Sequence, residues 1–253
     1  MSSHDHSHAH SHAHAHAHGA PAHGASFRSH FGAERAAQYD AQMKHWFIGG
    51  EALHEATATV LTALLAGRDT ASLLCVGVGT GQDLIPYVRH GAPGWRFTGV
   101  DPSADMLEVA RTRVADLGLK ERTHLHVGTL DSLPEGPLFD GAEMIGVLHH
   151  VPDEEGRLAL LREVKRRLQP GAPFVFGCRV GVDPVLTAVE EHRLRWAGAP
   201  IEFGRNMAEA FARQNLPESE TALAALLARA GFEPPRQFFA AMQFRVYLTR
   251  SAA

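Results

Sequence analysis

Five short apolar segments alternate with helix-forming segments between residues 72 and 180, and this alternation restricts the fold more than any other feature of the chain. Strands that alternate with helices form a parallel sheet with helices on both faces. We therefore predict an α/β fold with a doubly wound sheet. The predicted strands are SLLCVG, WRFTGVD, RTHLHVG, a strand within FDGAEMIGVLHHV, and APFVFGCRV.

Two more strands are predicted near the end of the chain, after a helix over SETALAALLARAGF. The next segment, PRQFFAAMQFRVYLTR, reads as two strands that meet near Ala241. A hairpin after five parallel strands predicts a seven-stranded sheet with an antiparallel edge strand. Helices are predicted over residues 81–89, over SADMLEVARTRVADLG between the caps Ser103 and Gly118, and over DEEGRLALLREVKRRLQPG.

Two flanking regions are predicted to form helical lids on a single domain of residues 27–253. Residues 27–70 contain apolar side chains near a 3.6-residue period, which indicates amphipathic helices. Residues 181–218 follow the fifth strand and form an irregular insertion. An exposed apolar edge on this insertion is compatible with a homodimer.

Composition excludes several classes of protein. The formal net charge is −4, so we do not expect bulk electrostatic binding of nucleic acid. Two cysteines are too few for a disulfide framework, which favours a reducing compartment. No apolar run reaches the roughly 18 residues of a membrane span, and the N-terminus lacks an apolar secretory region. We therefore expect a soluble cytoplasmic protein that does not enter membranes.

Histidine occupies every even position from 4 to 18, which sets residues 1–26 apart as a low-complexity tail. Such a segment has little to bury, so we predict that it is disordered. Alternate side chains of an extended chain point the same way, and a row of imidazoles chelates divalent metals. The tail is interpreted as a tag or tail with incidental metal binding. We predict no metal site in the folded domain.

A glycine turn follows the first predicted strand, where Gly77, Gly79 and Gly81 open into a helix. Glycines let a ligand approach the backbone above a helix N-terminus. Asp101 lies twenty residues after Gly81, at the end of the second strand, where an acid accepts hydrogen bonds from ribose hydroxyls. A third glycine of the dinucleotide pattern would stand at Gln82, so the turn favours an adenosine ligand without a pyrophosphate.

Four motifs in order over residues 72–180 resemble class I S-adenosylmethionine-dependent methyltransferases, which have a Rossmann-like methyltransferase fold. A weaker similarity, in YDAQM and ETALAALLARAGFEPPRQFFAAMQF, is to the branch that contains carboxy-S-adenosylmethionine synthase, a tRNA wobble-pathway enzyme. No counterpart of that enzyme's carboxylate-binding arginine segment is found, so its activity is not assigned. The four motifs are LLCVGVGTGQDL, FTGVDPSADMLEVAR, FDGAEMIGVLHHV and LREVKRRLQPGAPFVF.

The resemblance implies S-adenosylmethionine as cofactor and assigns residues to its parts. The glycine turn would lie against its methionine and ribose portions, and Asp101 would hold the ribose. Tyr39 is a further candidate, either for closing over the cofactor or for helix packing. The remaining residues are Pro102 and Met106 flanking the adenine, Thr129 and Leu130 at the adenine edge, and Ile145 and Gly146 lining the sulfonium.

The chain departs from the family pattern at two positions. Many members carry an acid where this chain has Cys75, and that acid helps to position the methionine ammonium. Many also carry an aspartate where this chain has Thr129, whose hydroxyl can still accept a hydrogen bond. Cys75 is interpreted as a buried small apolar side chain. Cys178 is predicted two strand spacings away, about 9–10 Å, which is too far for a disulfide.

His149 is the candidate general base, because it follows the fourth strand at the mouth of the predicted site. A substrate-shaping role is the alternative. Arg179 ends the fifth strand, where it would either bind an anionic acceptor or pair with an acid.

We predict methyl transfer to a small-molecule acceptor. One alternative is a carboxy-S-adenosylmethionine synthase-like enzyme. The other is a non-catalytic protein that binds an adenosyl ligand or a metal.

Overall fold

The computed structural model describes residues 33–91, 93–198 and 216–252. Seven strands form one sheet: β1 (Ser72–Val76), β2 (Arg96–Asp101), β3 (Thr123–Val127), β4 (Gly141–Ile145), β5 (Pro173–Arg179), β6 (Arg236–Ala241) and β7 (Phe244–Arg250). Their order across the sheet is β3-β2-β1-β4-β5-β7-β6. Strands β1 to β5 pair in parallel, whereas β7 is antiparallel to both β5 and β6. The predicted doubly wound sheet with its antiparallel edge is confirmed.

Helices cover both faces of this sheet. Short 3-10 turns also follow the carboxyl ends of β1, β3 and β4, where Gln82–Leu84, Leu130–Ser132 and Leu148–His150 lie. The α-helices are α1 (Ala33–Trp46), α2 (Gly50–Leu64), α3 (Tyr87–His90), α4 (Ala104–Asp116), α5 (Glu154–Arg166), α6 (Pro184–Trp196) and α7 (Glu220–Ala230).

Alternate side chains of the central strands enter two separate cores. On β1, Leu73 and Cys75 pack with apolar residues of α2 and α4, whereas Leu74 and Val76 pack with those of α5 and α7. This alternation follows from the two-residue period of a strand. All seven residues of β5 are buried, as expected for an inner strand covered on both faces.

Two helix boundaries predicted from capping residues are confirmed. The Ser103 hydroxyl accepts a hydrogen bond from the Met106 N–H at 3.2 Å, which satisfies one free donor at the start of α4. Gly118 follows the last turn of α4 with φ of +68°, a conformation that glycine adopts without steric strain.

The prediction of a single helix over residues 81–89 is wrong, because the chain forms two short helices there. The first is the 3-10 turn Gln82–Leu84, and the second is α3. Pro86 separates them, since its ring nitrogen has no hydrogen to donate to the preceding turn.

Both regions predicted as lids contain helices where the structure describes them, and closure over a ligand stays a prediction. Helices α1 and α2 are joined by a turn in which Gly49 has φ of +77°, and α6 follows β5. The His-rich tail and residues 199–215 of the insertion lie outside the described residues, so the predicted domain limits stay predictions.

Both cysteines are free and buried, as expected from the strand β4 between them. Within the described ranges, no helix is long and apolar enough to cross a membrane.

Candidate functional site

The glycine turn after β1 has a backbone that only glycine adopts easily. Gly77, Gly79 and Gly81 have φ of +69°, +53° and +79°, all in the left-handed region. A Cβ on Gly77 would overlap the Cγ2 methyl of Val147, and one on Gly79 would lie 3.5 Å from the Met106 Cε. The turn therefore leaves backbone partly exposed at Gly77 and Gly79, whereas Gly81 is buried against Ala110.

Asp101 is bonded directly to this turn. Its Oδ2 accepts from the Gly79 N–H at 3.0 Å, and its Oδ1 accepts from the Ser103 N–H at 2.8 Å. Burial raises the pKa of the Asp101 carboxyl, and these backbone donors oppose the shift. The acid is thus held in one orientation beside the turn, and each oxygen keeps a lone pair for a further donor.

The residues assigned to an adenine ring line the next part of the same edge. Pro102 is half-buried, and Met106 is buried against Gly79. Thr129 is exposed after β3, and its carbonyl accepts from the Ser132 hydroxyl at 2.7 Å. Leu130 packs in the core, so only its backbone can meet a ligand. Of these four residues, Thr129 is exposed, Pro102 is half-buried, and Met106 and Leu130 are buried, so contact with an adenine ring stays a prediction.

The end of β4 leaves open space beside the turn. Gly146 has φ of +76° and donates its N–H to the Gly177 carbonyl at 2.9 Å. A Cβ built on Gly146 would meet no atom nearer than the His149 Cε1 at 4.0 Å. Ile145, the preceding residue, is half-buried. This gap is bounded on one side by the candidate base, His149.

His149 is a buried imidazole at this gap. Its ring lies 4.4 Å from that of His150 and 6.1 Å from that of Phe244, measured between centroids. Its Nδ1 has no hydrogen-bond partner among the described residues. Burial, and then the charges of His150 and Arg179, hold the pKa of His149 well below its usual value of 6.5. The ring is therefore neutral at neutral pH.

Arg179 pairs with an acid, which is the second of its two predicted roles. Its guanidinium donates to the Glu190 Oε2 at 3.0 Å, and both side chains are largely buried. The Gln243 amide donates to the same oxygen at 3.1 Å. This cluster joins α6 to the β6–β7 turn behind His149.

Helix α1 is attached to the glycine turn through Asp40, which the sequence did not single out. The Asp40 carboxylate accepts from the Thr80 hydroxyl at 2.7 Å and from the Arg113 guanidinium. Burial raises the pKa of Asp40, but these two donors outweigh burial and hold the pKa below its usual value. Tyr39, the neighbouring residue, packs against Met106. Packing is therefore observed for Tyr39, and closure over a ligand remains a prediction.

A buried polar cluster below the turn was also missed. The His54 Nδ1 lies 2.6 Å from the Asp83 Oδ1, and the Tyr87 hydroxyl donates to the Glu143 Oε2 at 3.0 Å. Glu143 pairs in register with Cys75 on the neighbouring strand. These residues come from five separate elements, so no local sequence pattern could have predicted that they lie together.

Among the described residues, no group of histidine, cysteine and acidic side chains could hold a metal ion.

Comparison with known proteins agrees with this geometry. Residues 74–174 match a protein family described as a methyltransferase domain. They include the glycine turn, Asp101, the end of β4 and His149, so the matched family and the candidate site coincide.

Two curated relatives match this chain over only part of their own length. An uncharacterized 37.1 kDa protein in transposon TN4556 of Streptomyces fradiae is 35% identical over 120 residues, which cover 47% of this chain and 33% of that protein. Demethylmenaquinone methyltransferase of Symbiobacterium thermophilum is 35% identical over 104 residues, covering 41% and 40%. The chain thus spans less than half the length of these curated relatives.

The fold of the whole chain is shared with solved structures. Magnesium protoporphyrin IX methyltransferase from Synechocystis PCC 6803, solved with bound SAH, superposes with a TM-score of 0.61. The match covers 91% of this chain and 100% of that one at 16% identity. At this identity the likeness establishes the Rossmann-like methyltransferase fold alone.

Proposed function

We propose that this protein is an S-adenosylmethionine-dependent methyltransferase that acts on a small-molecule acceptor. The observation that carries the proposal is the junction of Asp101 with the glycine turn, because the Asp101 carboxylate accepts from the Gly79 N–H at 3.0 Å. That bond fixes an acid beside bare backbone at the carboxyl edge of the sheet, where such folds bind nucleoside ligands.

The described residues fit an adenosyl ligand. No side chain projects from the three glycines of the turn, and the backbone of Gly77 and Gly79 is partly exposed. The space beside Gly146 is free to 4.0 Å on the side of a built Cβ. Asp101 would hold the ribose, Pro102 and Met106 would flank the adenine, and the backbone at Thr129 and Leu130 would meet its edge.

S-adenosylmethionine, when bound, supplies a methyl group on a sulfonium, and transfer depends mainly on alignment with a nucleophile. The contribution of this chain is to align the acceptor at the gap near Gly146 and to remove its proton. We assign proton removal to His149, because its ring is neutral and its Cε1 edge borders the gap at Gly146.

A small molecule is favoured as acceptor by the names of the relatives. Demethylmenaquinone methyltransferase and magnesium protoporphyrin IX methyltransferase both name small organic molecules. Arg179 is not available to bind an anionic group of the acceptor, because its guanidinium already donates a hydrogen bond to Glu190 at 3.0 Å. The acceptor is therefore expected to be recognised mainly by its shape.

Calorimetric titration of the full chain with S-adenosylmethionine and S-adenosylhomocysteine tests the proposal. Asp101→Ala should weaken both ligands by about tenfold to a hundredfold, the effect of losing hydrogen bonds to a charged group. Asp105→Ala is the matched control, since Asp105 is an exposed acid four residues along the chain. Thermal melting establishes that each variant is folded. If the wild-type protein bound neither ligand, the proposed function would be wrong.

A further inference from the structure

Gln243 in the turn between β6 and β7 is a buried amide that bonds to the start of α6. It is 3% exposed, and its Oε1 accepts from the Asp183 N–H at 2.8 Å. Its Nε2 donates to the Thr187 hydroxyl at 3.2 Å and to the Glu190 Oε2 at 3.1 Å. Both amide hydrogens and the amide oxygen are therefore used, and together they hold one side of α6 in place.

The turn that carries Gln243 has a strained backbone. It consists of residues 242 and 243, and the flanking residues Ala241 and Phe244 are paired in register. Met242 has φ of +51°, and it is the one non-glycine residue with positive φ in the described ranges. Turns of this length favour glycine, asparagine or aspartate at such positions. Strain of this kind persists where the surrounding structure requires the geometry, which here places the Gln243 amide against α6.

Glu190 connects Gln243 to an arginine at the end of β5. The Glu190 Oε2 accepts from the Arg179 guanidinium at 3.0 Å, and its Oε1 accepts from the Gln243 backbone N–H at 3.4 Å. The side chains of Arg179 and Glu190 are only 8% and 21% exposed, so water screens their attraction weakly. A displacement of α6 would separate this ion pair and leave a charge of β5 without its balance.

The same turn places the aromatic ring that packs on His149. Phe244 follows Gln243, and its ring meets the His149 ring edge-on, with 6.1 Å between centroids and 85° between planes. A Cβ on Gly177 would lie 2.6 Å from the Phe244 Cε1, so this ring lies directly on the backbone of β5. Phe244 and Arg179 are register partners on antiparallel strands, so their side chains share one face of the sheet.

Two titratable or charged groups act on the His149 ring from the elements around it. His150 is its neighbour in the 3-10 turn, and Arg179 comes from β5. Burial, and then these two groups, lower the pKa of His149. The Glu190 carboxylate is bonded to Arg179 and therefore offsets part of the positive charge that reaches the ring.

We infer that Gln243 is a positioning residue for the general base, because it holds Glu190 against Arg179 and Phe244 against the His149 ring. This inference rests on the proposed function, in which His149 removes the proton of the acceptor. For that step the imidazole has to be neutral and in one orientation beside Gly146. Gln243 contributes to both conditions through its neighbours and touches neither the acceptor nor the cofactor.

NMR titration of His149 in the full chain, labelled at histidine, tests the inference. The spectrum of His149→Gln identifies the signal. Gln243→Leu should raise the pKa of His149 by about 1 toward 6.5, because α6 and the Phe244 ring loosen and water reaches the imidazole. Gln237→Leu is the matched control, since Gln237 is an exposed glutamine of the same hairpin, and it should leave that pKa unchanged.

Variants of the ion pair distinguish positioning of a charge from general loosening. Glu190→Gln keeps the shape of the side chain and leaves the Arg179 charge unbalanced, so it should lower the pKa of His149 further. Arg179→Met removes the positive charge and should raise that pKa. Thermal melting establishes that each variant is folded, and Glu190→Gln alone suffices if Arg179→Met does not fold.

Two results would overturn the inference. An unchanged pKa of His149 in Gln243→Leu would mean that the amide does not act on the base. A raised or unchanged pKa in Glu190→Gln would mean that the cluster supports the fold by packing alone.

Failure of the proposed function has a different signature. Wild-type protein that does not bind S-adenosylhomocysteine in calorimetry would refute the proposed function, whatever the titrations of His149 show. We expect wild type to bind, and Gln243→Leu to bind within about twofold of wild type, because Gln243 lies outside the glycine turn. Such binding, with a pKa of His149 that no variant moves, would overturn the role of Gln243 alone.

Discussion

The two sides of the glycine turn are held by different kinds of interaction. On the side of β2, Asp101 bonds to the N–H groups of Gly79 and Ser103, which lie 22 and 2 residues away in the chain. On the side of the lid and β4, side chains bond to side chains across 40 residues for Asp40 and Thr80 and 56 residues for Tyr87 and Glu143.

This difference separates what is common to a fold from what is particular to a chain. Backbone donors are present in any sequence that makes the same turn, so the Asp101 side requires one acid and permissive glycines. The side of the lid and β4 requires several pairs of side chains that hydrogen-bond to each other, and neither member of a pair makes its bond without the other. We therefore expect the first side to set whether a nucleoside binds, and the second to set how tightly the whole cofactor is held.

Gly77→Ala should break the backbone side most severely. The new methyl group would overlap the Val147 side chain, and alanine would be strained at φ of +69°. We expect the free energy of unfolding to fall by about 3 kcal/mol, from left-handed strain and overpacking together. S-adenosylhomocysteine binding should be lost. Urea denaturation and calorimetry measure these effects.

Gly118→Ala is the control for that experiment. Gly118 has φ of +68°, but nothing lies within 4 Å of a built Cβ. The substitution should therefore lower the free energy of unfolding by only about 1 kcal/mol, from strain alone, and leave ligand binding intact. Equal losses at the two positions would show that contact with Val147 has no part in the effect.

His149→Gln should separate chemistry from binding on the β4 side. Removal of a general base should lower turnover by about a hundredfold with the acceptor identified by screening, while S-adenosylhomocysteine affinity stays within about twofold. His150→Gln, a half-buried neighbour, is the control and should have a smaller effect. Unchanged turnover in His149→Gln would restrict this residue to a substrate-shaping role.

The pH dependence of the proposed reaction follows from the lowered pKa of His149. A base must be neutral to accept a proton, so the acid limb of the rate profile should lie below pH 6.5. Because the unfolded state binds this proton more readily, stability should also fall as pH drops from 6.5 toward the folded pKa. Urea denaturation of wild type and His149→Gln between pH 7 and pH 5 checks the second effect.

Asp40→Asn should produce the smallest of these effects, on the lid. We expect a loss of about 1 kcal/mol in the free energy of unfolding, and weaker cofactor binding by a few-fold. The folded pKa of Asp40 lies below 3.8, so its contribution is complete above that value and is lost as pH falls through the folded pKa. Glu34→Gln, an exposed acid on the same helix, should change neither quantity.

The sequence was sufficient for the sheet, because the alternation of strands and helices and the N-cap Ser103 are local signals, and both were confirmed. The glycines have the positive φ that such a turn requires and Asp101 bonds to it, but ligand binding there stays a prediction. The two short helical pieces around Pro86 were missed, because the effect of one proline on a helix depends on where the following turn packs.

The polar clusters were missed for a different reason. His54, Asp83 and Glu143 each look like ordinary polar residues of a helix or a strand, and only the topology brings them together. Cys75 was the one signal in the sequence, because it stands on β1 where an acid was expected. It did not indicate that an acid, Glu143, lies opposite it on the neighbouring strand.

The way in which α1 is attached has a consequence for hydrogen exchange and for the release of a bound cofactor. Among the described residues, no backbone hydrogen bond joins α1 to the sheet. Side chains hold this helix, among them the hydrogen bonds of Asp40 and the packing of Ala36 and Tyr39 against Met106. This helix can therefore leave while every strand stays paired. Amide hydrogens of α1 should exchange with solvent far sooner than those of β1 and β4. The rate at which S-adenosylhomocysteine dissociates would then be set by how often α1 detaches, without any unfolding of the domain.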